Sequence, residues 1–271
     1  MDIIINEPIV VGYTCCGPTY RKTAYDRIKN YYFDNDNIYY CIVTDNKEYF
    51  SDLERKNLIV NELKDFYEDF PELEKNESFL LSNDKNDYAE RFLKEGFLFP
   101  MSTYRFNILQ AIKLGIKNVS MLCTDTVIDF NKFNNDIFEN KNLMYNAVSW
   151  WYETFDTKSN VSYANMKIIS DYLNEKYGYQ HPETVLVLDE AARLFIPNNL
   201  DDLKFFFKIW NEVVEFLYEN NYIFNYKGSY VIHDEFIMAI IYDFLKIKFP
   251  IDNSGRFFDV KHNKDIERFW V

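Results

Sequence analysis

Residues 9–45 read IVVGYTCCGPTYRKTAYDRIKNYYFDNDNIYYCIVTD. Ile9–Tyr13 is a short apolar run followed by a loop with Gly and Pro, which predicts a buried strand that ends in a tight turn. The next apolar residues have helical spacing, namely Tyr20, Ala24, Ile28 and Tyr31. Ile38–Thr44 is β-branched and aromatic and predicts a second strand. The stretch therefore predicts a strand, helix, strand unit.

The same alternation continues along the chain. Residues 51–99 combine many charges with apolar residues at helical intervals, among them Leu58, and predict two or three amphipathic helices. A further helix is predicted from Tyr104 to Gly115, and Asn118–Cys123 predicts a third strand. Such alternation is typical of an α/β fold with three layers, α/β/α, around a mainly parallel central sheet.

The second half predicts a helix near 163–177, a strand at Thr184–Leu188, a helix at about 201–218 and another after His233. No repeat, composition break or Pro/Gly/Ser linker divides the chain. We therefore predict a single domain over residues 1–271, in which residues 1–130 form a nucleotide-binding half and residues 131–271 an acceptor and catalytic half.

Composition limits the function classes. The 271 residues are 48% hydrophobic with only 7 Gly and 7 Pro, which predicts a compact core and excludes disorder of the whole chain. With 43 acidic against 30 basic residues, the formal net charge of −13 repels nucleic acid and anionic membranes. Nucleic acid is therefore not an expected partner, although an acceptor of that class is not excluded.

Four cysteines occur, without a CxxC pair or a Cys/His cluster at zinc spacing. This favours a reduced, cytoplasmic location without disulfides. Asp2 and Glu7 stand where a signal peptide would carry positive charge, and no apolar run is long enough to span a bilayer. We expect a protein without a membrane segment.

Parallel α/β sheets bind ligands at the carboxyl ends of their strands. Three segments follow predicted strands: Tyr13–Tyr20, Asp45 and Cys123–Thr126. The sequence contains neither GxGxxG nor GxxxxGK, which argues against a dinucleotide-binding fingerprint and against a P-loop.

Several patches carry a resemblance. They are YYCIVTD (39–45), YRFNIL (104–109), VSMLCTDTVI (119–128) and HDEFIMAIIYDFL (233–245). Their order and spacing are similar to those of retaining glycosyltransferases of the GT-A fold, particularly the blood-group A/B and α-1,3-galactosyltransferase family. The resemblance implies a GT-A-like fold and an enzyme that transfers a sugar from a nucleotide sugar, a UDP-sugar, to a hydroxyl acceptor with retention of anomeric configuration.

The resemblance also implies site residues. The nucleotide would lie at Tyr13, Thr14 and Tyr20, with Arg105 as the arginine that binds the donor. The family's His-Asp-Glu motif falls on His233, Asp234 and Glu235. Glu235 would lie beneath the anomeric carbon as nucleophile or stabiliser, Asp234 would hold sugar hydroxyls, and His233 would orient an acid or the acceptor. Alternatively, the two acids only favour the positive end of a helix dipole.

The Asp-x-Asp metal motif of the family falls on Cys123-Thr124-Asp125. Residues i and i+2 of a strand point the same way, so two carboxylates there can hold a divalent ion against a diphosphate. A thiol suits manganese or magnesium poorly, because both prefer oxygen. The site therefore has one carboxylate, Asp125, with help from elsewhere, or it has no metal.

Residues 262–270 are similar to the HxxGxxKPW motif of glycogenin-like transferases, although its Gly and Pro are missing. This resemblance implies that His262 is a second metal ligand. It also implies that Arg268 is the cation on the leaving group, since a guanidinium matches phosphate oxygens bidentately.

Other interpretations stay open. Cys123 prompts the alternative of a catalytically decayed nucleotide-sugar or carbohydrate-binding module, whereas a nucleotidyltransferase would need a loop richer in Gly and charge after the first strand. Residues 150–152 (WWY) either stack on an acceptor or pack in the core, and Asp189 and Glu190 either line a sugar pocket or cap a helix.

The sequence leaves the identity of the acceptor open. It is a glycan, a protein side chain, a lipid-linked sugar or a hydroxymethylated DNA base, the last in keeping with an AT-rich viral genome.

Overall fold

The computed structural model describes residues 4–66, 105–122, 126–139, 144–154, 161–195 and 234–245, the short segment 259–262, and parts of 205–220. The strands are β1 (Ile9–Cys15), β2 (Ile38–Thr44), β3 (Leu58–Glu62), β4 (Asn118–Leu122), β5 (Thr126–Asp129), β6 (Met144–Thr154), β7 (Thr184–Phe195) and β8 (Asp259–His262). The α-helices are α1 (Pro18–Tyr31), α2 (Arg105–Leu114), α3 (Val161–Tyr177) and α4 (Asp234–Phe244). Short 3-10 helices cover Lys47–Phe50, Leu63–Phe66, Phe130–Lys132 and Asn135–Glu139.

Six strands form the main sheet, in the order β3-β2-β1-β4-β7-β6. The four strands β3, β2, β1 and β4 are parallel, and β7 and β6 continue the sheet in antiparallel pairing. A second sheet consists of β5 and β8. The predicted α/β fold with a mainly parallel central sheet is confirmed.

The two faces of the main sheet enter different apolar clusters. Val10, Cys41 and Val119 pack with buried residues of α3 and α4 and with the helical residues around 208–217. Ile9, Val11 and Ile42 point to the opposite face, since side chains alternate along a strand, and pack with α1 and residues 128–138. Helices therefore cover both faces, as in the predicted α/β/α arrangement.

Helix α2 ends at a glycine, which sets the position of its C-terminus. Gly115 has φ +68°, a left-handed conformation that glycine adopts without steric cost. Its N–H donates to the carbonyl of Ile112 at 3.0 Å, and that of Ile116 donates to Ala111 at 2.8 Å. The predicted end of this helix at Gly115 is confirmed.

Two predictions were wrong, one for residues 58–62 and one for Asp189 and Glu190. Residues 58–62, predicted as helical, form β3, because their β-branched run LIVNE pairs with β2 at the sheet edge. Asp189 and Glu190 do not cap a helix, because β7 continues through both to Phe195. Residues 150–152 lie in β6, opposite β7. The helices predicted over 67–99 lie outside the described residues.

Cys15, Cys16 and Cys41 are buried and are not in disulfides, and Cys123 lies outside the described residues. Burial raises the pKa of the Cys41 thiol to about 12 and raises the pKa of Cys15 well above its ordinary value. Within the described ranges, no helix combines the length and the apolar character that crossing a bilayer requires.

A polar cluster joins α3 to the helical residues around 212. The Tyr177 hydroxyl donates to Glu212, and the Lys176 Nζ lies 3.0 Å from Glu212 Oε2. Partial burial raises the pKa of Glu212, but the hydrogen bonds from Tyr177 and Lys176 outweigh it, so the pKa of this carboxyl lies below its ordinary 4.5.

We expect the free energy of unfolding to fall as the pH drops below 4.5, because the unfolded chain then takes up a proton that the folded Glu212 resists. Glu212→Gln should reduce this pH dependence by about 0.5 kcal/mol, the scale of a partly exposed ion pair. Urea unfolding at pH 6 and pH 3.5 measures the difference in the free energy of unfolding between the two pH values. Glu175→Gln, at an exposed carboxylate of α3, is the control, and an equal effect of both substitutions would contradict the prediction.

Candidate functional site

The strands β1, β2 and β4 end at the same edge of the sheet, which we call the carboxyl edge. After β1 the chain turns at Gly17, whose φ of +87° and ψ of 159° are open to glycine almost alone. Pro18 then occupies the first position of α1, where its missing N–H costs nothing. Strand and helix are therefore joined by a turn of two residues, Cys16 and Gly17.

Asp45, directly after β2, holds this turn. Its Oδ2 accepts the Gly17 N–H at 3.0 Å and forms an ion pair with Arg21, and its Oδ1 lies 3.2 Å from the Thr44 hydroxyl. The side chains of Asp45 and Arg21 are 6% and 14% exposed. Because α1 has no acid in its first turn and no side-chain cap, Asp45 supplies the negative charge that its N-terminus favours.

The sequence singled out Asp45 as a strand end but missed Arg21. A signal was present: a helix that begins at Pro18 without an acid in its first turn leaves its N-terminus without a compensating charge. The carboxylate that follows the neighbouring parallel strand is then the natural partner.

The residues predicted to bind the nucleotide, which lie on either side of this turn, differ in exposure. The ring of Tyr13 is 1% exposed and packs in the apolar cluster with Ile28, and this residue pairs with Ile42 of β2 and Leu122 of β4. Thr14 is half-buried, and its Oγ1 is buried without a hydrogen-bond partner. Tyr20, in the first turn of α1, is 39% exposed.

Arg105 is the first residue of α2, and this helix precedes the parallel strand β4. The helix of such a unit begins at the carboxyl edge, so the backbone of Arg105 lies on that side of the sheet. Two residues further, the fully buried Asn107 lies against Gly12 of β1. A Cβ at Gly12 would come within 2.6 Å of Asn107 Nδ2 and 2.7 Å of its Oδ1, so only glycine allows α2 this close.

The small sheet brings two distant parts of the sequence together. Thr126 of β5 is the register partner of His262 of β8, which places the His262 backbone beside the residue that follows Asp125. Cys123 and Asp125 lie outside the described residues, as does Arg268. The strand partner of His262 is therefore the residue that follows Asp125 in the sequence, and the assignment of both residues to one metal site stays a prediction.

The pairing of β4 with β7 places two acidic residues of β7 near the end of β4 in the register of the sheet. Leu122, the last residue of β4, pairs with Ala192, and β7 runs antiparallel, so Glu190 and Asp189 lie on the part of β7 beyond the end of β4. The register shifts between β6 and β7 fall at Ala147, which pairs with Glu190. Bulges of this kind are over-represented next to active sites.

Asp234 and Glu235 are the first two residues of α4, and His233 lies outside the described residues. The helix packs against β7 and α3, and the Tyr179 hydroxyl donates to Asp243 at 2.7 Å near its other end. This position suits both the catalytic and the helix-dipole interpretation. The expectation that Asp125 and Glu235 face each other across one cleft stays a prediction.

The described residues hold no group of three or more His, Cys, Asp or Glu side chains that could bind a metal ion. The metal ligands implied by the resemblance are His262 and Asp125, of which Asp125 lies outside the described residues, and this pair stays a prediction. A carboxylate and an imidazole are donors that fit manganese, and a carboxylate also fits magnesium.

No protein-family model matches the chain, and no curated protein matches it. Among solved structures, mouse xyloside xylosyltransferase 1 is similar at 10% identity and a TM-score of 0.41, over 90% of this chain and 84% of that one. The glycosyltransferase GlyE of Streptococcus pneumoniae TIGR4 is similar at 11% identity and a TM-score of 0.41, over 90% of this chain and 45% of that one. This chain thus spans less than half the length of GlyE. Such distant similarities carry no information on donor, acceptor or site residues.

Proposed function

We propose that the protein is a glycosyltransferase that moves a sugar from a nucleotide sugar, a UDP-sugar, to a hydroxyl acceptor with retention of anomeric configuration. The observation that carries the proposal is the pairing of β5 with β8, which sets His262 opposite Thr126. The sequence had assigned His262 and Asp125 to one metal site although they are far apart in the chain. The pairing of His262 with Thr126, the residue after Asp125 in the sequence, supports that assignment.

The parts of the donor would be held by different elements. The nucleotide would lie against Thr14, Tyr20 and the main chain of Tyr13, and Arg105 would reach the donor from the start of α2. Asp125 and His262 would hold a manganese or magnesium ion, which when bound neutralises charge on the diphosphate. Arg268 would add a cation to the leaving group.

Glu235 would act at the anomeric carbon. During transfer the bond from this carbon to the diphosphate oxygen breaks and a bond to the acceptor oxygen forms, while the acceptor proton leaves with the diphosphate or a nearby base. A carboxylate on the face opposite the leaving group stabilises the positive charge of an oxocarbenium-like state, or bonds to the carbon as nucleophile. Asp234 would bind sugar hydroxyls, and His233 would orient an acid or the acceptor.

We propose a cytoplasmic location for the enzyme, which is supported by the lack of disulfides at the buried Cys15, Cys16 and Cys41. The proposed acceptors are a glycan or a hydroxymethylated DNA base. The net charge of −13 weighs against DNA, and DNA binding measured at two salt concentrations separates the two, since phosphate contacts produce a steep salt dependence.

A thermal-shift panel of nucleotide sugars, with and without manganese, tests the proposal. A donor at 100 times its Kd adds about 2.7 kcal/mol to stability, so we expect the Tm to rise by several degrees with one donor class and more with manganese. His262→Ala should remove the manganese increment, whereas His181→Ala, at an exposed histidine before β7, should keep it. NMR of the released sugar reports retention.

Each outcome has a distinct meaning. No shift with any nucleotide sugar, or an inverted product, contradicts the proposal as stated. A donor-induced shift without hydrolysis or transfer favours the decayed binding module that Cys123 prompts. An unchanged manganese increment in His262→Ala contradicts the role of this histidine while leaving the transferase in place.

A further inference from the structure

The ion pair between Arg21 and Asp45 ties the end of β2 to the turn between β1 and α1. More than nine-tenths of the Asp45 side chain is buried, and its two oxygens accept from the Gly17 N–H, from Arg21 and from the Thr44 hydroxyl. A buried carboxylate is costly unless it is paired and hydrogen-bonded, and here both conditions are met. The Asp45 side chain is therefore held at the turn by these bonds.

The turn needs such an anchor. Gly17 loses more backbone freedom on folding than any other residue type would, and its φ of +87° is one of many conformations open to it. Gly17 is the N-cap residue of α1, so its N–H has no hydrogen-bond partner within the helix. The bond from this N–H to Asp45 at 3.0 Å thus selects one conformation of the turn.

The same contacts limit where a diphosphate can bind. The charge of Arg21 is neutralised by Asp45, and its guanidinium lies 5.7 Å from the centre of the Tyr49 ring. The N-terminus of α1, otherwise a site for anions, already has the Asp45 carboxylate beside it. Phosphate groups would then need other cations. Thr14 Oγ1, two residues before the Cys16–Gly17 turn, is a neutral polar atom that is buried without a hydrogen-bond partner, and a small opening of the turn would let it bond to a ligand.

We propose that Asp45 is a positioning residue for nucleotide binding, which holds the Cys16–Gly17 turn so that Thr14 and the main chain of the turn contact the nucleoside of a nucleoside diphosphate. This inference rests on the proposed function. Asp45 does not touch the reacting atoms, so its loss weakens the binding of the nucleotide and leaves the chemical step nearly intact.

The test measures UDP binding by calorimetry in the presence of manganese. Asp45→Ala should weaken UDP binding at least tenfold and raise KM for the donor, while kcat at saturation stays within threefold. The Gly17 amide should exchange with deuterium at least tenfold faster, because its acceptor is gone. Asp45→Asn should recover part of the affinity, since an amide oxygen still accepts from Gly17 but no longer pairs with the Arg21 charge.

Asp52→Asn is the matched control. Asp52 accepts from the Tyr25 hydroxyl at 2.6 Å on the surface beside the same helix, and its substitution should leave UDP affinity unchanged. If Asp45→Ala does not fold, Asp45→Asn carries the test with an expected three- to tenfold loss of affinity.

UDP affinity and Gly17 exchange equal to those of the wild type in the Asp45 variants would overturn the inference and leave the transferase assignment standing. A kcat that falls as far as the affinity would also overturn it, because Asp45 would then act on the reaction itself. Failure of the wild type to bind UDP, GDP, CDP or dTDP would overturn the proposed function, and this inference with it.

Discussion

Glu235→Gln is expected to lower turnover by about 10²- to 10⁴-fold while donor affinity stays within several-fold. The amide keeps the size of the side chain but removes the negative charge, which in the proposed mechanism stabilises the transition state far more than the ground state. Stopped-time assays of nucleoside diphosphate release, with water or a glycan acceptor, measure kcat, and calorimetry measures the Kd of the donor. The effect should therefore fall on kcat.

Asp243→Asn is the control on the same helix. Asp243 accepts from Tyr179 near the end of α4, so neutralising it should cost stability through that bond without changing kcat. Both variants are compared below their unfolding temperatures. Retention of more than a tenth of wild-type turnover by Glu235→Gln would remove this carboxylate from the mechanism and leave its role to the helix dipole.

Gly12→Ala is expected to lower the free energy of unfolding by about 1–3 kcal/mol. The added methyl group would lie within 2.6 Å of the Asn107 amide, which is fully buried between β1 and α2 and has little room to move. The helix would have to shift outward, and Arg105 at its start would move with it. Urea unfolding followed by circular dichroism measures the loss.

A double-mutant cycle identifies the cause. Neither amide atom of Asn107 has a hydrogen-bond partner, so Asn107→Ala alone should change stability by less than about 1 kcal/mol. The Gly12→Ala/Asn107→Ala protein should recover most of the loss, because the clash has been removed. Equal instability of the double variant and Gly12→Ala would mean that the glycine is required for another reason.

The fold was predictable where local signals decide it. The predicted bounds of β2 equal the observed Ile38–Thr44, because a β-branched and aromatic run between turn residues has no competing helical pattern. The region 58–62 was mistaken for helix, since apolar residues at Leu58 and Leu63 imitate helical spacing. Its strand conformation depends on pairing with β2, a contact that spacing does not reveal.

The site was predictable only in part, for a similar reason. Parallel strands end at one edge, so Asp45 and residues 123–126 could be named as strand ends from their order alone. The Arg21 partner depends on the register between β1 and β2, and the buried ring of Tyr13 depends on which face of β1 meets α1. Those are tertiary properties, and a strand pattern leaves them open.

The pairing of β5 with β8 has a consequence for how the protein is made. All six strands of the main sheet are complete by Phe195, whereas β8 begins at Asp259. During synthesis the main sheet can therefore assemble before β8, the partner strand of β5, has been made. The proposed metal site, which needs His262, would therefore be completed after the main sheet.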